Sequence, residues 1–294
     1  MIFERVFSKV KSLFVRVEKD PSVIANFVQE PLILCNFCAT VFRREAPIHS
    51  EFLACPSCGS IARERVIYQC ILDELGRQKG ETGVFFCGAP VLKPLRLLEF
   101  SPRYNPLRYQ IYHETLGEYL ASDFDLSTHR ADIRLDLTCL EDVSPYFGHF
   151  DIVICAHVLE HIPDYQLALE NLYRLLAPGG LLVLQVPLLE RQYVKVTWDE
   201  FHGDHTRVYH RFGFDLQIEL DRIFSSTRSV VGLLDFPITS PEIDPMKYDL
   251  IKEKQGNYII LGESKMRYYG LGCPDLCDAF LACRDSEPIQ ESGK

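Results

Sequence analysis

The chain has 294 residues, of which 47% are hydrophobic and 24% charged, and its formal net charge is -10. That is room for one full α/β domain and a small accessory module around a substantial core. The acidic balance argues against a surface built throughout to neutralise phosphates. The cysteines number 11 and include two Cys-x-x-Cys pairs, which is metal spacing rather than a disulfide framework.

Residues 1–30 read as an N-terminal extension. Phe3, Val6, Phe7, Val10, Leu13 and Phe14 recur at helical spacing, with Arg5, Lys9, Lys11 and Arg16 between them. The pattern predicts an amphipathic helix over 1–20, packed on the body of the protein or on a partner chain. Peripheral contact with an anionic membrane is the second reading, diluted by Glu4, Glu18 and Asp20. No secretory leader and no apolar run of bilayer length is read, so a reducing cytoplasm is the expected location.

Residues 31–77 read as a zinc-ribbon-like module with a linking helix. Cys35-Asn-Phe-Cys38 and Cys55-Pro-Ser-Cys58 are separated by 16 residues. Two turns with two thiolates each complete a closed tetrahedral site with no position left for water, so a structural Zn2+ is expected on Cys35, Cys38, Cys55 and Cys58. Gly59 follows the second pair, where the turn calls for positive φ. A helix is predicted over about Ala62–Leu75, and the polar stretch Gln78–Gly83 marks a boundary.

From 84 to 265 short apolar runs alternate with helical patterns. Strands are predicted at Leu97–Phe100, Glu118–Phe124, Phe150–Cys155 and Leu181–Val186. The alternation predicts an α/β fold, a Rossmann-like doubly wound sheet with helices on both faces. Asp164 is placed to cap a helix whose apolar face is Leu167, Leu169, Leu172, Leu175 and Leu176, and Pro178-Gly179-Gly180 ends it. Residues 266–294 read as a C-terminal tail, frayed over Asp285–Lys294, with Cys273, Cys277 and Cys283 forming no second metal pair. Cys70, Cys87, Cys139 and Cys155 read as small core residues.

The stretch FDIVICAHVLEHI at 150–162 and the stretch LYRLLAPGGLLVLQVP at 172–187 closely resemble the late motifs of class I methyltransferases that use S-adenosylmethionine (SAM), in the Methyltransf-11-like branch. The resemblance covers about residues 90–262. The second cysteine pair with Gly59 and Ser60, followed by Arg63-Glu-Arg-Val66, and the element Asp204-His205-Thr206-Arg207-Val208-Tyr209 look similar to an uncharacterised bacterial subgroup with a cysteine module ahead of that domain.

The resemblance implies SAM as cofactor, across the carboxyl ends of the first strands. It puts Glu99 and Ser101 beside the methionine part, Asp123 (or its near neighbour Asp125) on the ribose hydroxyls, Asp136 and Leu137 by the adenine, and Ala156 and His157 along the cofactor's border. Family members follow the first strand with Gly-x-Gly; this chain has Glu99-Phe-Ser-Pro-Arg-Tyr104 instead. His205 is the first choice as general base, ahead of His157, His161, His202 and His210, while Arg207 and Tyr209 hold the acceptor. In the alternative, Asp204, His205 and Arg207 form a structural knot. His157, Glu160 and His161 also look similar to the metal-binding Glu-x-x-Glu-His of small-RNA 2'-O-methyltransferases, which makes a divalent ion there a minority reading. The expected activity is methyl transfer to oxygen or nitrogen of a small molecule or glycan. The alternatives are an RNA methyltransferase whose zinc module clamps RNA through Arg43, Arg44, Arg63 and Arg65, and a non-catalytic scaffold on this fold.

Overall fold

A computed structural model describes residues 32–43, 54–79, 86–127, 130–188, 196–201, 206–213, 215–232, 258–261 and 279–286. The helix expected over 1–20 lies outside the described residues. Among the described residues no helix is long and apolar enough to cross a membrane.

β1 (Leu32–Leu34) and β2 (Val41–Arg43) pair antiparallel around the first cysteine pair, and α1 (Ala62–Lys79) follows the second. Next come β3 (Arg96–Phe100), α2 (Pro106–Thr115), β4 (Glu118–Asp123), β5 (Ile133–Arg134), α3 (Leu140–Val143), β6 (Phe150–Ala156), α4 (Tyr165–Leu175) and β7 (Leu176–Gln185). The chain ends with β8 (Val196–Phe201), β9 (Arg207–Arg211), α5 (Leu216–Ile223), β10 (Ser226–Gly232), β11 (Tyr258–Leu261) and β12 (Ala279–Cys283). β8 and β9 form a separate antiparallel ribbon. The main sheet has the order β11-β10-β12-β7-β6-β3-β4-β5, parallel throughout except for β12, which runs antiparallel to both its neighbours.

The alternation of side chains along each strand divides the core between the two faces of the sheet. Leu98, Phe100, Val153, Cys155, Leu182, Leu184, Phe280 and Ala282 point to one face and pack with Leu169, Leu172 and Leu175 of α4 and with Leu216 and Leu220 of α5. Asp164 caps α4, its carboxylate accepting from Leu167 N at 3.1 Å. Leu97, Ile152, Ile154, Leu181, Val183 and Leu281 point to the other face. The covering there comes from α1, α2 and the cysteine module, through an aromatic cluster of Phe37, Tyr68, Phe86 and Tyr112.

Three features differ from the sequence reading. First, α1 runs on to Lys79, through part of the expected boundary, and packs on β7 and β12. It is a covering helix of the sheet rather than a linker, because its apolar residues Val66, Ile67, Ile71, Leu72 and Leu75 are all buried. Second, residues 279–283, read as tail, are an inner strand of the sheet. Every residue of β12 is buried, so its five-residue apolar run fills the gap between β7 and β10. Third, α4 passes directly into β7 at Leu176, and the Pro-Gly-Gly sits inside that strand, where the pairing with β6 shifts register between Phe150 and Ile152. Gly180 permits this: a Cβ there would lie 2.8 Å from Ala177 O and 3.1 Å from Phe150 O.

Candidate functional site

The strand order reverses at β3: the chain continues to β4 and β5 on one side, then crosses to β6 and β7 on the other. In an open parallel sheet the crevice beyond the carboxyl ends of the two strands at such a reversal is where ligands bind. Both strands leave the sheet through left-handed, non-glycine residues, Ser101 at φ 46° and His157 at φ 56°. Each donates its backbone N–H to the neighbouring strand, Ser101 to Ser122 O at 2.7 Å and His157 to Gln185 O at 2.9 Å. Such conformations cost on the order of 1–3 kcal/mol and gather at functional sites. Ser101 thus adopts the backbone conformation that a glycine would supply with less strain.

The remaining expected cofactor residues lie at or just beyond the carboxyl ends of β4, β5 and β6. Asp123 ends β4, is buried, and accepts from Asp125 N at 2.8 Å through Oδ1. Asp125 is exposed, and hydrogen bonds from Ser127 hold its carboxyl below the usual range. Asp136 accepts from the backbone and hydroxyl of Thr138 at 2.8 and 2.7 Å. Leu137 is buried, its carbonyl fixed by Asn171 Nδ2 at 2.8 Å. Ala156 closes β6, half-buried, next to His157.

Glu99 is engaged by the protein itself. Tyr119 OH donates to it at 2.8 Å, and Arg108 ion-pairs with it at 3.4 Å. Burial, opposed by the Arg108 charge, raises its carboxyl above the ordinary range. Arg108, itself only 3% exposed, also grips Glu64 of α1 at 2.5 Å and donates to Arg103 O at 3.0 Å. Arg108 did not stand out in the sequence, and Glu64 did so only as part of the Arg63-Glu-Arg-Val66 stretch. The one available signal was Glu64 at the third position of a helix: it accepts from Ile61 N at 2.8 Å, half of a capping box.

Beyond β6 a short turn, Leu159–His161, places Glu160 inside the protein. Its side chain is 1% exposed, with His157 Nδ1 at 3.7 Å and His161 Nε2 at 3.8 Å from Oε1, and among the described residues no other residue hydrogen-bonds either carboxylate oxygen. Burial pushes its carboxyl up to about 8. His161 Nδ1 donates to Arg207 O at 2.7 Å and so ties this turn to β9. His210 is buried, its Nε2 3.1 Å from Ile162 O and 3.0 Å from Pro163 O, its ring against Tyr165. It holds β9 to the loop before α4. On the same ribbon the exposed Arg207 lies over the Tyr209 ring at 4.8 Å and near Phe201 at 5.9 Å. His202, Asp204 and His205 fall outside the described residues.

The four cysteines of the two pairs come together. Their Sγ atoms all lie within 4.8 Å of one another, and this is the one set of potential metal donors found among the described residues. Cys35–Cys58 and Cys38–Cys55 are each 3.6 Å apart. A tetrahedron with Zn–S bonds of ~2.3 Å has edges of about 3.8 Å, so the donor set fits zinc. Ser60 Oγ lies 3.1 Å from Cys35 Sγ and 3.2 Å from Cys58 Sγ, and Thr40 Oγ1 3.3 Å from Cys38 Sγ, as outer partners of thiolate ligands do. Burial opposes ionisation of Cys35, but hydrogen bonds from the other three cysteines and the charge of Arg65 outweigh it and hold the thiol well below its ordinary range. The two turns are built alike. Ala39 N donates to Cys35 O and Cys35 N to Thr40 O; Gly59 N donates to Cys55 O and Cys55 N to Ser60 O. Ala39 and Gly59 both take positive φ, 62° and 68°.

Arg65, which the alternative RNA reading would put on an RNA-binding surface, is instead fully buried and donates to Ser60 O at 2.5 Å. Its charge lies by the cysteine cluster and favours ionisation of Cys35.

A family model described as a methyltransferase domain matches residues 72–219, half of the chain. The ubiquinone biosynthesis O-methyltransferase of Psychrobacter cryohalolentis is 28% identical over 123 residues, 38% of this chain and 45% of its own length. The tRNA U34 carboxymethyltransferase of Wolinella succinogenes is 31% identical over 109 residues, 32% of this chain and 39% of its own. The chain thus spans less than half the length of these curated relatives. A SAM-dependent methyltransferase structure from Archaeoglobus fulgidus is 17% identical, with a TM-score of 0.42, covering 77% of this chain and 95% of that one.

Proposed function

This chain belongs to the methyltransferase-domain family, and from that premise we propose that it binds SAM across the carboxyl ends of β3, β4 and β6 and transfers the methyl group to oxygen or nitrogen of a small molecule or glycan. One observation carries the reading. The reversal of strand order is flanked by two left-handed exits, Ser101 and His157, with the Asp123 carboxylate at the end of the next strand. The left-handed Ser101 supports a cofactor-binding turn at the first glycine position of the family pattern, and this favours an enzyme over a non-catalytic scaffold.

Bound SAM supplies an electrophilic methyl group on a sulfonium. The chain supplies binding and alignment, and takes up the acceptor's proton where the acceptor is a hydroxyl. Asp123 accepts from the ribose hydroxyls, Asp136 and Leu137 border the adenine, and Ser101, Ala156 and His157 line the rest of the crevice. Glu99 acts at one remove, holding the loop through Arg108. On the acceptor side, Arg207 and Tyr209 present a cation stacked on a ring, suited to an anionic or hydroxyl-bearing acceptor. His205 is the base of choice, and His161 positions that ribbon through Arg207 O. Zinc on the four cysteines is structural, since four thiolates leave no open position.

The tRNA-modifying relative makes RNA the second reading. The net charge of -10 and the burial of Arg65 stand against an RNA clamp on the zinc module.

The test is calorimetric titration with S-adenosylhomocysteine. The full chain is expected to bind, and Asp123→Ala to bind about 100-fold more weakly, for about 3 kcal/mol of charge-assisted hydrogen bonds. No binding by the wild-type chain overturns the reading.

A further inference from the structure

The second cysteine turn lies against the first cofactor loop, and polar, directional contacts join them. Asn105 Nδ2 donates to Cys58 O at 2.6 Å, while its Oδ1 caps α2 by accepting from Leu107 N and Arg108 N at 3.1 Å each. Arg103 Nη2 donates to Gly59 O at 2.6 Å and reaches Glu64 at 3.3 Å. Arg108 links Glu64 to Glu99, the residue before the last of β3. Arg103 and Asn105 belong to the segment that carries Gly-x-Gly in the resembling family, so its conformation is held here from outside. The holding atoms are main-chain carbonyls of residues 58 and 59, immediately at and after a zinc thiolate.

The direction of these carbonyls depends on the closed turn. Cys55 N to Ser60 O and Gly59 N to Cys55 O close it, and a metal held by the four cysteines would fix Cys55 and Cys58 at its two ends. Gly59 allows the approach of Asn105, because a Cβ at that residue would run into the Asn105 amide.

We propose that the four-thiolate zinc centre is a positioning element for the SAM loop: metal on Cys35, Cys38, Cys55 and Cys58 holds the Cys58–Glu64 segment, which through Asn105, Arg103 and Arg108 holds residues 101–105 in the SAM-binding conformation. Zinc and SAM then bind with positive cooperativity, and by linkage each raises the other's affinity by one common factor. This rests on the proposed SAM site and adds to a merely structural zinc the consequence that its occupancy sets cofactor affinity.

The experiment uses the zinc-loaded full chain. Zinc affinity is read by competition with a chromophoric chelator, with and without saturating S-adenosylhomocysteine. Affinity for S-adenosylhomocysteine is read by calorimetry on loaded and zinc-stripped protein. The expected result is at least a tenfold rise in zinc affinity with the nucleoside present and an equal loss of nucleoside affinity without zinc. Arg103→Ala removes a side chain that is 41% exposed and touches no cysteine sulfur; it is expected to keep one zinc per chain, bind S-adenosylhomocysteine several-fold more weakly and lose most of the coupling. Zinc affinity indifferent to the nucleoside overturns the proposal, as does full coupling in Arg103→Ala. Failure of the zinc-loaded wild-type chain to bind S-adenosylhomocysteine overturns instead the SAM reading itself. Less than one zinc per chain after purification with zinc overturns the metal assignment.

Discussion

Replacing Glu160 by glutamine isolates the cost of the most unusual ionisable group in the site. The carboxyl is fully enclosed and pushed up by burial to about 8, against the pull of its own backbone N–H and of Arg63. In the unfolded chain it titrates near its ordinary value of about 4.3. Between those values the folded protein holds a proton that the unfolded chain has released, so stability falls as pH rises from about 4.3 to about 8. The slope is ~1.4 kcal/mol per pH unit, which makes the loss about 2 kcal/mol between about pH 5.5 and about pH 7. Glutamine keeps the shape and cannot ionise. Urea denaturation of wild type and Glu160→Gln at several pH values between these limits measures the difference for Glu160 together with its neighbours His157 and His161, while contributions from distant groups cancel. The variant is expected to gain on the wild type by about 2 kcal/mol across that interval. Parallel pH dependences would show that Glu160 is already ionised, and would refute its enclosure as described.

Gly59→Ala should destabilise the zinc-loaded protein by about 2 kcal/mol in the same assay. Roughly half comes from the left-handed conformation and half from the lost Cys58–Asn105 hydrogen bond. Ala39→Gly, at the matching position of the first turn, should have no such cost, and equal losses in both variants would refute the account. Arg108→Met leaves Glu64 and Glu99 buried without their shared cation and should cost about 3–5 kcal/mol. A melting temperature within a degree or so of wild type would show that water already reaches these carboxylates.

Much of the protein was legible because its determinants are local. Cys-x-x-Cys spacing and the following Gly59 specify a thiolate turn by themselves, and the structure closes both turns with the same backbone hydrogen bonds. The run from Phe150 to Leu184 reads as strand, capped helix and strand from its own apolar spacing and from Asp164, and it folds that way.

Tertiary structure alone decided what depends on distant neighbours. Ala279–Cys283 is five apolar residues with no pattern to separate an inner strand from a tail; only the gap between β7 and β10 makes it β12. Arg65 reads as a surface cation, yet it is buried beside the four-cysteine cluster, where its charge favours ionisation of Cys35. Glu160 reads only as one member of a possible metal-binding set until its enclosure raises its carboxyl. The same holds for the two halves of the molecule. Local spacing marks a cysteine module and an α/β domain as separate pieces, because spacing carries no information about what covers a sheet face. Packing makes them one core, joined where Cys58 and Gly59 meet Asn105 and Arg103.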